Sequence, residues 1–259
     1  MKWDAEKEKQ LLELRNQQLT NKQIADILGT TVSSVKHKVV RLSQVNNSDS
    51  HHHPVEKQLQ IENVLNNITE DISVLETHAG YGNMTAVYSS YAKNVVCYEL
   101  NKDKAKYIAD QGYTNVICHN KDSLRESYLL VYDRHKFNVI DIDPYGFPSR
   151  YFPHIFELID DGYMFITLPK YGCAQINNIT KMHVKSFYGF DGGSNEQFLD
   201  CWLDSIKTYA LRTYRSCDVL DVIDLDKVYR IALRVKKENA FILCGYDHLA
   251  KGDNGKELW

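Results

Sequence analysis

The chain has 259 residues, of which 43% are hydrophobic and 25% are charged, values typical of a globular protein with one large domain or one domain and a small appendage. No apolar run reaches the ~20 residues that span a bilayer, and the polar N-terminus lacks the apolar core of a secretory signal. These features argue against a membrane protein and predict a soluble, cytoplasmic one. Six scattered cysteines without a Cys-x-x-Cys pair argue against a disulfide framework and a structural zinc site, so no metal is expected.

The net charge of −3 is unevenly distributed along the chain. Residues 1–45 hold eight Lys or Arg against five Asp or Glu, a net charge of +3, so the remainder carries −6. Residues 31–45 contain three basic residues and no acid. A local basic patch of this kind favours a nucleic-acid partner despite the acidic total.

Helical patterns fill residues 4–45. Thr20 and Gln23 have the spacing of a capping box before a short apolar stripe, Gly29 ends that helix, and Thr31 begins another. The two short helices, the second basic on its outer face, resemble Myb-like and sigma-factor-type helix-turn-helix domains. This resemblance implies that the second helix enters a major groove. The outward residues predicted to contact nucleic acid are Ser33, Ser34, Lys36, His37, Lys38 and Arg41. The alternative is a three-helix bundle that serves protein contact or oligomerisation.

Residues 46–55 are polar, lack periodicity and include Pro54, which predicts a linker between an N-terminal domain at 1–45 and a larger domain at 56–259. The run His51–His53 falls in this linker. It lacks the fixed geometry of a metal site, so we expect it to be solvated.

Short apolar runs alternate with helical stretches from residue 56 onward. Five of these runs read as strands: ISVLET, NVVCYEL, NVICHN, FNVIDIDP and YMFITLP. The alternation predicts an α/β domain with a mostly parallel sheet covered on both faces. Two later runs, DVLDVIDL and VYRIALRV, predict a terminal antiparallel hairpin. Between them and the fifth strand, the glycines of Phe187–Phe198 predict a break in regular structure.

Polar residues follow the first three strands. The first strand leads into E-T-H-A-G-Y-G-N-M-T, where Gly80 and Gly82 allow a sharp turn before a helix N-terminus. Thr85 stands where a dinucleotide fingerprint would have its third glycine. Glu99 ends the second strand, where a carboxylate can bind ribose hydroxyls, and Asp122 follows the third, where it could accept a bond from an adenine amino group.

These segments resemble three motifs of class I S-adenosylmethionine methyltransferases. E-T-H-A-G-Y-G-N-M-T resembles their first motif, Y-E-L-N-K their ribose motif and K-D-S their adenine motif. The resemblance implies a Rossmann-like methyltransferase fold and S-adenosyl-L-methionine as cofactor. It also implies that Glu76 or Thr77 contacts the methionine part together with Gly80 and Gly82. Glu99 and Asp122 would contact the nucleoside. The alternatives are an NAD site or a sheet without a ligand.

The fourth strand ends in D-I-D-P-Y-G-F-P. Methylation of an exocyclic amine needs an acceptor for its N–H protons and a flat surface for the base. Asp143 with the Pro144 carbonyl can supply the first, and Tyr145 can supply the second by stacking. Asp141 is assigned to the cofactor side of the site, with capping or ion pairing as its alternative.

The D-P-Y-G segment resembles the D-P-F-G-x-P of the tRNA guanine-N2 dimethyltransferases more than the motif of DNA amino-methyltransferases. The resemblance implies methylation of guanine N2 in tRNA, whereas the helix-turn-helix favours DNA. Adenine N6 and cytosine N4 remain open. Two further alternatives are a pyrimidine-C5 methyltransferase that uses Cys173 as nucleophile, and an inactive DNA-binding regulator with a methyltransferase-like fold.

Overall fold

The computed structural model describes residues 7, 10, 11, 14, 21–32, 34, 35, 53–66, 68–172 and 178–239. The chain divides into two compact units, Met1–Pro54 and Val55–Trp259, and each is considered by itself.

The N-terminal unit has a small apolar core. Helix α1 (Asn21–Ile27) contributes Ile24 and Ala25, which are buried together with Leu11 and Val35. Gly29 follows the helix with a φ of 62°, a left-handed conformation that commonly ends helices. The side chain of Thr31 then accepts a hydrogen bond of 3.1 Å from the backbone N–H of Ser34, which is the geometry of a helix N-cap.

The second unit contains the sheet and its covering helices. Its elements before the last strands are α2 (Pro54–Leu65), β1 (Ser73–Glu76), α3 (Asn83–Tyr91), β2 (Asn94–Tyr98), α4 (Lys102–Ala109), β3 (Val116–His119), α5 (Ser123–Tyr132), β4 (Val139–Ile142), α6 (Phe152–Ile155), β5 (Asp161–Pro169), α7 (Asn178–Tyr188) and α8 (Asn195–Arg212). Strands β6 (Arg215–Asp224) and β7 (Val228–Lys237) follow. Two short 3-10 turns, Pro148–Arg150 and Phe156–Leu158, flank α6.

The strands form one seven-stranded sheet with the order β3-β2-β1-β4-β5-β7-β6. The first five are parallel, and β7 lies antiparallel between β5 and β6. The prediction of a mostly parallel, Rossmann-like sheet with a terminal antiparallel hairpin is therefore confirmed. The chain passes from β1 to β2 on one side and later to β4 on the other, so a crevice opens between the ends of β1 and β4.

The sheet separates two apolar clusters. All four residues of β4 are buried, as expected for a central parallel strand. Val139 belongs to the cluster under α2 and α3, whereas Ile140 and Ile142 belong to the cluster with Trp202 of α8. Successive side chains of a strand point to opposite faces, so the two clusters cover opposite faces of the sheet.

Two predicted boundaries differ from the structure. The predicted linker extends to residue 55, but Pro54 already begins α2, because a proline at the first helical position loses no intrahelical hydrogen bond. Regular structure resumes at Asn195 within the glycine-rich segment. There the Ser194 side chain accepts from the N–H of Gln197, and the Gln197 side chain accepts from the N–H of Ser194. In the described part of the chain no helix is long and apolar enough to cross a bilayer.

Candidate functional site

The polar residues predicted from the strand ends come together at one edge of the sheet. In the strand register Glu76 of β1 is the partner of Asp141 of β4 on one side and of Cys97 of β2 on the other. Glu99 follows β2 and Asp143 follows β4, so both extend beyond the same carboxyl edge. This edge includes the switch point between β1 and β4, where open α/β sheets bind ligands.

The turn after β1 is built on two glycines in the left-handed region. Gly80 has a φ of 59° and Gly82 a φ of 82°, and both are strained for other residues. A Cβ on Gly82 would lie 2.9 Å from Cγ1 of Ile108, whereas a Cβ on Gly80 would meet nothing within 4 Å. The backbone at Gly82 packs against α4, and the backbone at Gly80 borders open space that a ligand can approach.

Glu99 joins this turn to the end of β2 by hydrogen bonds. Its Oε2 accepts a hydrogen bond of 2.8 Å from the N–H of Gly80, and its Oε1 accepts one of 2.7 Å from the N–H of Asn101. Glu99 remains partly exposed. Each carboxylate oxygen can accept a further bond, so the side chain can hold the turn and receive hydroxyl donors at the same time.

Glu76 is a buried acid beside this turn. The Thr85 hydroxyl donates to its Oε2 at 2.5 Å. Burial, followed by the negative charge of Asp141, raises the pKa of Glu76 to about 8. The neighbouring Thr77 donates from both its N–H and its hydroxyl to the backbone oxygen of Asp141, at 2.9 and 3.0 Å, and so joins β1 to β4.

The raised pKa of Glu76 predicts that stability falls with rising pH. Between the usual carboxyl pKa of 4.5 and about 8 the folded protein keeps a proton that the unfolded chain has lost. The free energy of unfolding therefore decreases by up to about 1.4 kcal/mol per pH unit across that window. Glu76→Gln keeps an acceptor for Thr85 and removes the titration. We expect this variant to be more stable than the wild type at pH 8 and similar to it at pH 5, by urea denaturation. An equal difference at both pH values would contradict the assignment.

Asp141 has both carboxylate oxygens bonded within the protein. Arg230 of β7 donates to Oδ1 at 2.9 Å and to Oδ2 at 2.5 Å, and the Tyr88 hydroxyl donates to Oδ2 at 2.6 Å. All three residues are buried. The structure therefore has the ion pairing that was the alternative for Asp141. Arg230 was missed from the sequence, although an arginine inside the apolar run VYRIALRV is a recognisable signal of a buried partner.

Asp143 has a different environment, although it lies only two residues further on. Its side chain is 27% exposed, and its Oδ2 is 2.6 Å from the ammonium nitrogen of Lys57 on α2. Burial alone would raise the pKa of Asp143. The positive charges of Lys57 and Arg230, with hydrogen bonds from Lys57 and Thr167, outweigh burial and lower it to about 2. Asp143 is therefore a carboxylate at neutral pH.

The aromatic residue of D-P-Y-G extends outward. Tyr145 is 86% exposed, and Pro144 before it is half-buried. Phe147 turns inward and stacks on His183 of α7, with ring centroids 5.7 Å apart. His183 Nε2 is 2.7 Å from the Ser149 hydroxyl, so α7 is attached to the segment that follows the motif.

A hydrogen-bonded chain joins the ends of β1 and β3. The His78 ring bonds to the Thr77 hydroxyl at 2.8 Å and to the Tyr151 hydroxyl at 3.2 Å, and Tyr151 is 2.7 Å from the Ser123 hydroxyl. Burial lowers the pKa of His78 although nearby carboxylates oppose it. Asp122 precedes Ser123 and is exposed, and its side chain caps α5 by accepting from the N–H of Leu124.

Several predicted residues lie beyond the part of the chain that the structure describes. Of the six nucleic-acid contacts only Ser34 is described, and it is half-buried. The others, and the alternative nucleophile, are outside: Ser33, Lys36, His37, Lys38, Arg41 and Cys173. Among the described residues no group of three or more His, Cys, Asp or Glu side chains could hold a metal ion.

Comparison with known proteins defines the class of fold. No protein-family model and no curated protein matches the sequence. Among solved structures, Trm1 from Pyrococcus horikoshii with S-adenosyl-L-methionine matches with a TM-score of 0.60 and 17% identity, over 75% of this chain and 57% of that one. Trm5b from Pyrococcus abyssi matches with a TM-score of 0.49 and 15% identity, over 71% and 48%. M. jannaschii TYW2 in complex with AdoMet matches with a TM-score of 0.46 and 15% identity, over 71% and 76%.

The larger unit therefore has the Rossmann-like methyltransferase fold that the motifs predicted. At 17% identity the match to Trm1 shows the fold alone, and the chain spans little more than half of the length of that protein. Function must be argued from the residues of the site.

Proposed function

We propose that this chain is an S-adenosylmethionine-dependent methyltransferase that modifies an exocyclic amino group of a base in nucleic acid. The observation that carries the proposal is the pairing of an ionised carboxylate, Asp143, with the exposed ring of Tyr145 at the end of β4. The glycine turn that Glu99 holds follows β1, the strand paired with β4. An acceptor for amine protons, a stacking surface and a ligand-binding turn thus share one sheet edge.

The residues around the glycine turn fit S-adenosyl-L-methionine, which supplies an electrophilic methyl group when bound. The open space over Gly80 admits a ligand against the backbone, and Glu99 offers a carboxylate for two ribose hydroxyls. Asp122 is exposed at the next strand end and can accept from an adenine amino group. Glu76 and Thr77 would lie beside the methionine part of the cofactor. The Trm1 structure with S-adenosyl-L-methionine supports this choice of cofactor.

Asp143 would act on the nitrogen that receives the methyl group. That nitrogen becomes positively charged in the transition state, and a fixed carboxylate stabilises the charge as it develops. With a pKa of about 2 Asp143 is a weak base, so its contribution is electrostatic and positional, and the proton leaves to water afterwards. Tyr145 would stack on the base once it has left its own stack.

The ionised state of Asp143 also favours guanine among the three possible bases. Guanine carries a ring N–H beside its amino group, so a carboxylate can accept from both. Adenine and cytosine have an acceptor nitrogen at that place, which repels an anion. We therefore prefer guanine N2 to adenine N6 or cytosine N4, in agreement with the resemblance of the D-P-Y-G segment.

The N-terminal unit would supply affinity for the polymer. Its basic segment at residues 31–45 carries the charge that neutralises phosphates, and the capped helix start at Thr31 agrees with a helix-turn-helix. Such a unit favours DNA, whereas the motif on β4 favours tRNA, so both polymers belong in the test.

The test is transfer of labelled methyl from S-adenosyl-L-methionine to DNA and to tRNA, followed by digestion to nucleosides. We expect label in a base methylated on its exocyclic amine, with N2-methylated guanine as the leading product. Label at pyrimidine C5 would instead indicate the Cys173 route. Cofactor binding without transfer to either polymer would indicate an inactive regulator and overturn the proposal.

The role of Glu99 gives a prediction for cofactor affinity. Glu99→Gln keeps the side-chain shape but loses the charge and one acceptor, so it weakens the bonds to the ribose and to the glycine turn. Because charge-assisted hydrogen bonds contribute about 1.5–3 kcal/mol, we expect the Kd for S-adenosyl-L-methionine to rise about 10- to 100-fold in calorimetry. The matched control is Glu157→Gln, an exposed residue remote from the sheet edge. Equal Kd values for the two variants would count against a ribose contact.

A further inference from the structure

We propose that Lys57 is a positioning residue, whose ammonium group fixes the carboxylate of Asp143 at the end of β4. This inference rests on the proposed function, because it assigns a reason for holding Asp143 in place. Lys57 and Asp143 are 86 positions apart in the chain, and their charged atoms are 2.6 Å apart. The Lys57 side chain is only 4% exposed. Lysine is almost never this buried without a partner, so the ion pair accounts for its burial.

Helix α2 carries Lys57 to this position on one buried face. Its buried residues Lys57, Gln60, Ile61 and Leu65 follow helical spacing. Ile61 and Leu65 pack in the apolar cluster under α2 and α3. Gln60 donates to Asp221 of β6 at 2.8 Å and to the backbone oxygen of Arg230 at 3.3 Å. The helix is therefore anchored to the sheet by the residues that follow Lys57.

The charged and titratable groups facing Asp143 come from four other elements. Lys57 from α2 and Arg230 from β7 are positive, while Asp141 from β4 is negative. Glu76 from β1 and His78 after it are mostly neutral near pH 7, since burial raises the pKa of the first and lowers that of the second. Arg230 is hydrogen-bonded to Asp141. Lys57 is thus the cation in direct contact with Asp143, and without it the charge of Arg230 would offset burial only in part.

Loss of Lys57 therefore shifts the protonation of Asp143 toward neutral pH. In the wild type the carboxylate is ionised throughout the range in which the protein is assayed. In Lys57→Met the charge and hydrogen bond of Lys57 are lost while burial remains, so the pKa of Asp143 rises, although Arg230 still opposes the rise. The acid limb of the activity therefore moves to higher pH. Lys57→Arg retains a positive charge and is expected to retain a low pKa.

The experiment compares wild type, Lys57→Met and Lys57→Arg in the full chain, with Lys93→Met as a control from an exposed ion pair with Asp71. The first readout needs no substrate: the carboxyl carbon of Asp143 is titrated by NMR, with its signal assigned from Asp143→Asn. We expect the proton affinity of Asp143 to rise at least about tenfold in Lys57→Met and to stay near wild type in the other two. An unchanged titration in Lys57→Met overturns the proposal.

The second readout is the pH profile of kcat at saturating S-adenosyl-L-methionine and nucleic acid. We expect the acid limb of kcat in Lys57→Met to lie at higher pH than in the wild type and the control, displaced by the same amount as the NMR titration. A parallel fall at all pH values would indicate a merely structural role. If the wild type transfers no methyl group while the NMR titration still shifts, the proposed function fails and the positioning of Asp143 stands.

A stability measurement covers the case in which Lys57→Met folds poorly. Lys57→Met is combined with Asp143→Asn, which removes the charge that Lys57 balances. We expect the loss of stability caused by Lys57→Met to shrink in the Asp143→Asn background. Additive effects of the two substitutions would overturn the contact as the reason for burying Lys57.

Discussion

Asp143→Asn is expected to lower kcat for methyl transfer by at least about 10²-fold, comparable to the loss of one preorganised group that stabilises transition-state charge. The substitution keeps the size of the side chain and leaves an oxygen for the bond from Lys57. It removes the negative charge that faces the reacting nitrogen, and it places a donor where the amine needs an acceptor. Asp143 lies at the end of β4, whereas Glu99 and the glycine turn follow β2 and β1, so cofactor binding should persist.

The measurement pairs initial rates on the methylated nucleic acid with the Kd for S-adenosyl-L-methionine. Asp218→Asn is the matched control, because Asp218 is an exposed aspartate on β6. A large fall in kcat with little change in Kd assigns Asp143 to the chemical step. Transfer that continues at near the wild-type rate in Asp143→Asn would exclude Asp143 as the acceptor of the amine protons.

The residues that could be predicted from the sequence are those whose position follows from a strand end. Glu99 and Asp143 each follow an apolar run directly, and parallel strands present their carboxyl ends at one edge. The glycines of the first turn were identified in the same way. These inferences are local, since each needs only the periodicity of a few residues and the fold class.

The partners of those residues could not be predicted in this way. Lys57 contacts Asp143 across 86 positions, and Arg230 contacts Asp141 across 89. The first contact depends on how α2 packs on the sheet. The second depends on strand order, since β7 inserts between β5 and β6 and so places Arg230 opposite Thr167. Helix α8 is a different case. The sequence contains the capping box of Ser194 and Gln197 that begins this helix, but the glycines before it predicted a loop.

Asp141 and Asp143 show what the long-range contacts decide. The pattern D-I-D places both carboxyls at the end of the same strand, and the sequence leaves the role of Asp141 open between a cofactor contact, a cap and an ion pair. Asp141 is still paired within the sheet, and its carboxylate oxygens accept hydrogen bonds from Arg230 and Tyr88. Asp143 lies one residue beyond the end of β4, remains partly exposed and has Lys57 as its direct partner. The first therefore holds the site together, and the second is available to a substrate.

Arg230→Met is accordingly expected to destabilise the fold by about 3–5 kcal/mol, the usual effect of removing one partner of a buried ion pair. It leaves Asp141 buried with only the Tyr88 hydroxyl as a donor among its side-chain partners. Methionine fills the space of the aliphatic stem but not that of the guanidinium group, so part of the loss comes from the space left there. Urea denaturation at pH 7 measures the change in the free energy of unfolding.

The double variant Arg230→Met/Asp141→Asn separates charge from packing. If the uncompensated carboxylate causes the loss, removing its charge should recover much of the stability, and the double variant should be more stable than Arg230→Met alone. A double variant that is less stable than either single one would mean that the polar contacts with Thr167 and Tyr88 matter more than the charge. Since the positive charge of Arg230 also helps to keep the pKa of Asp143 low, the same variants connect the stability of the sheet to the ionisation on which methyl transfer would depend.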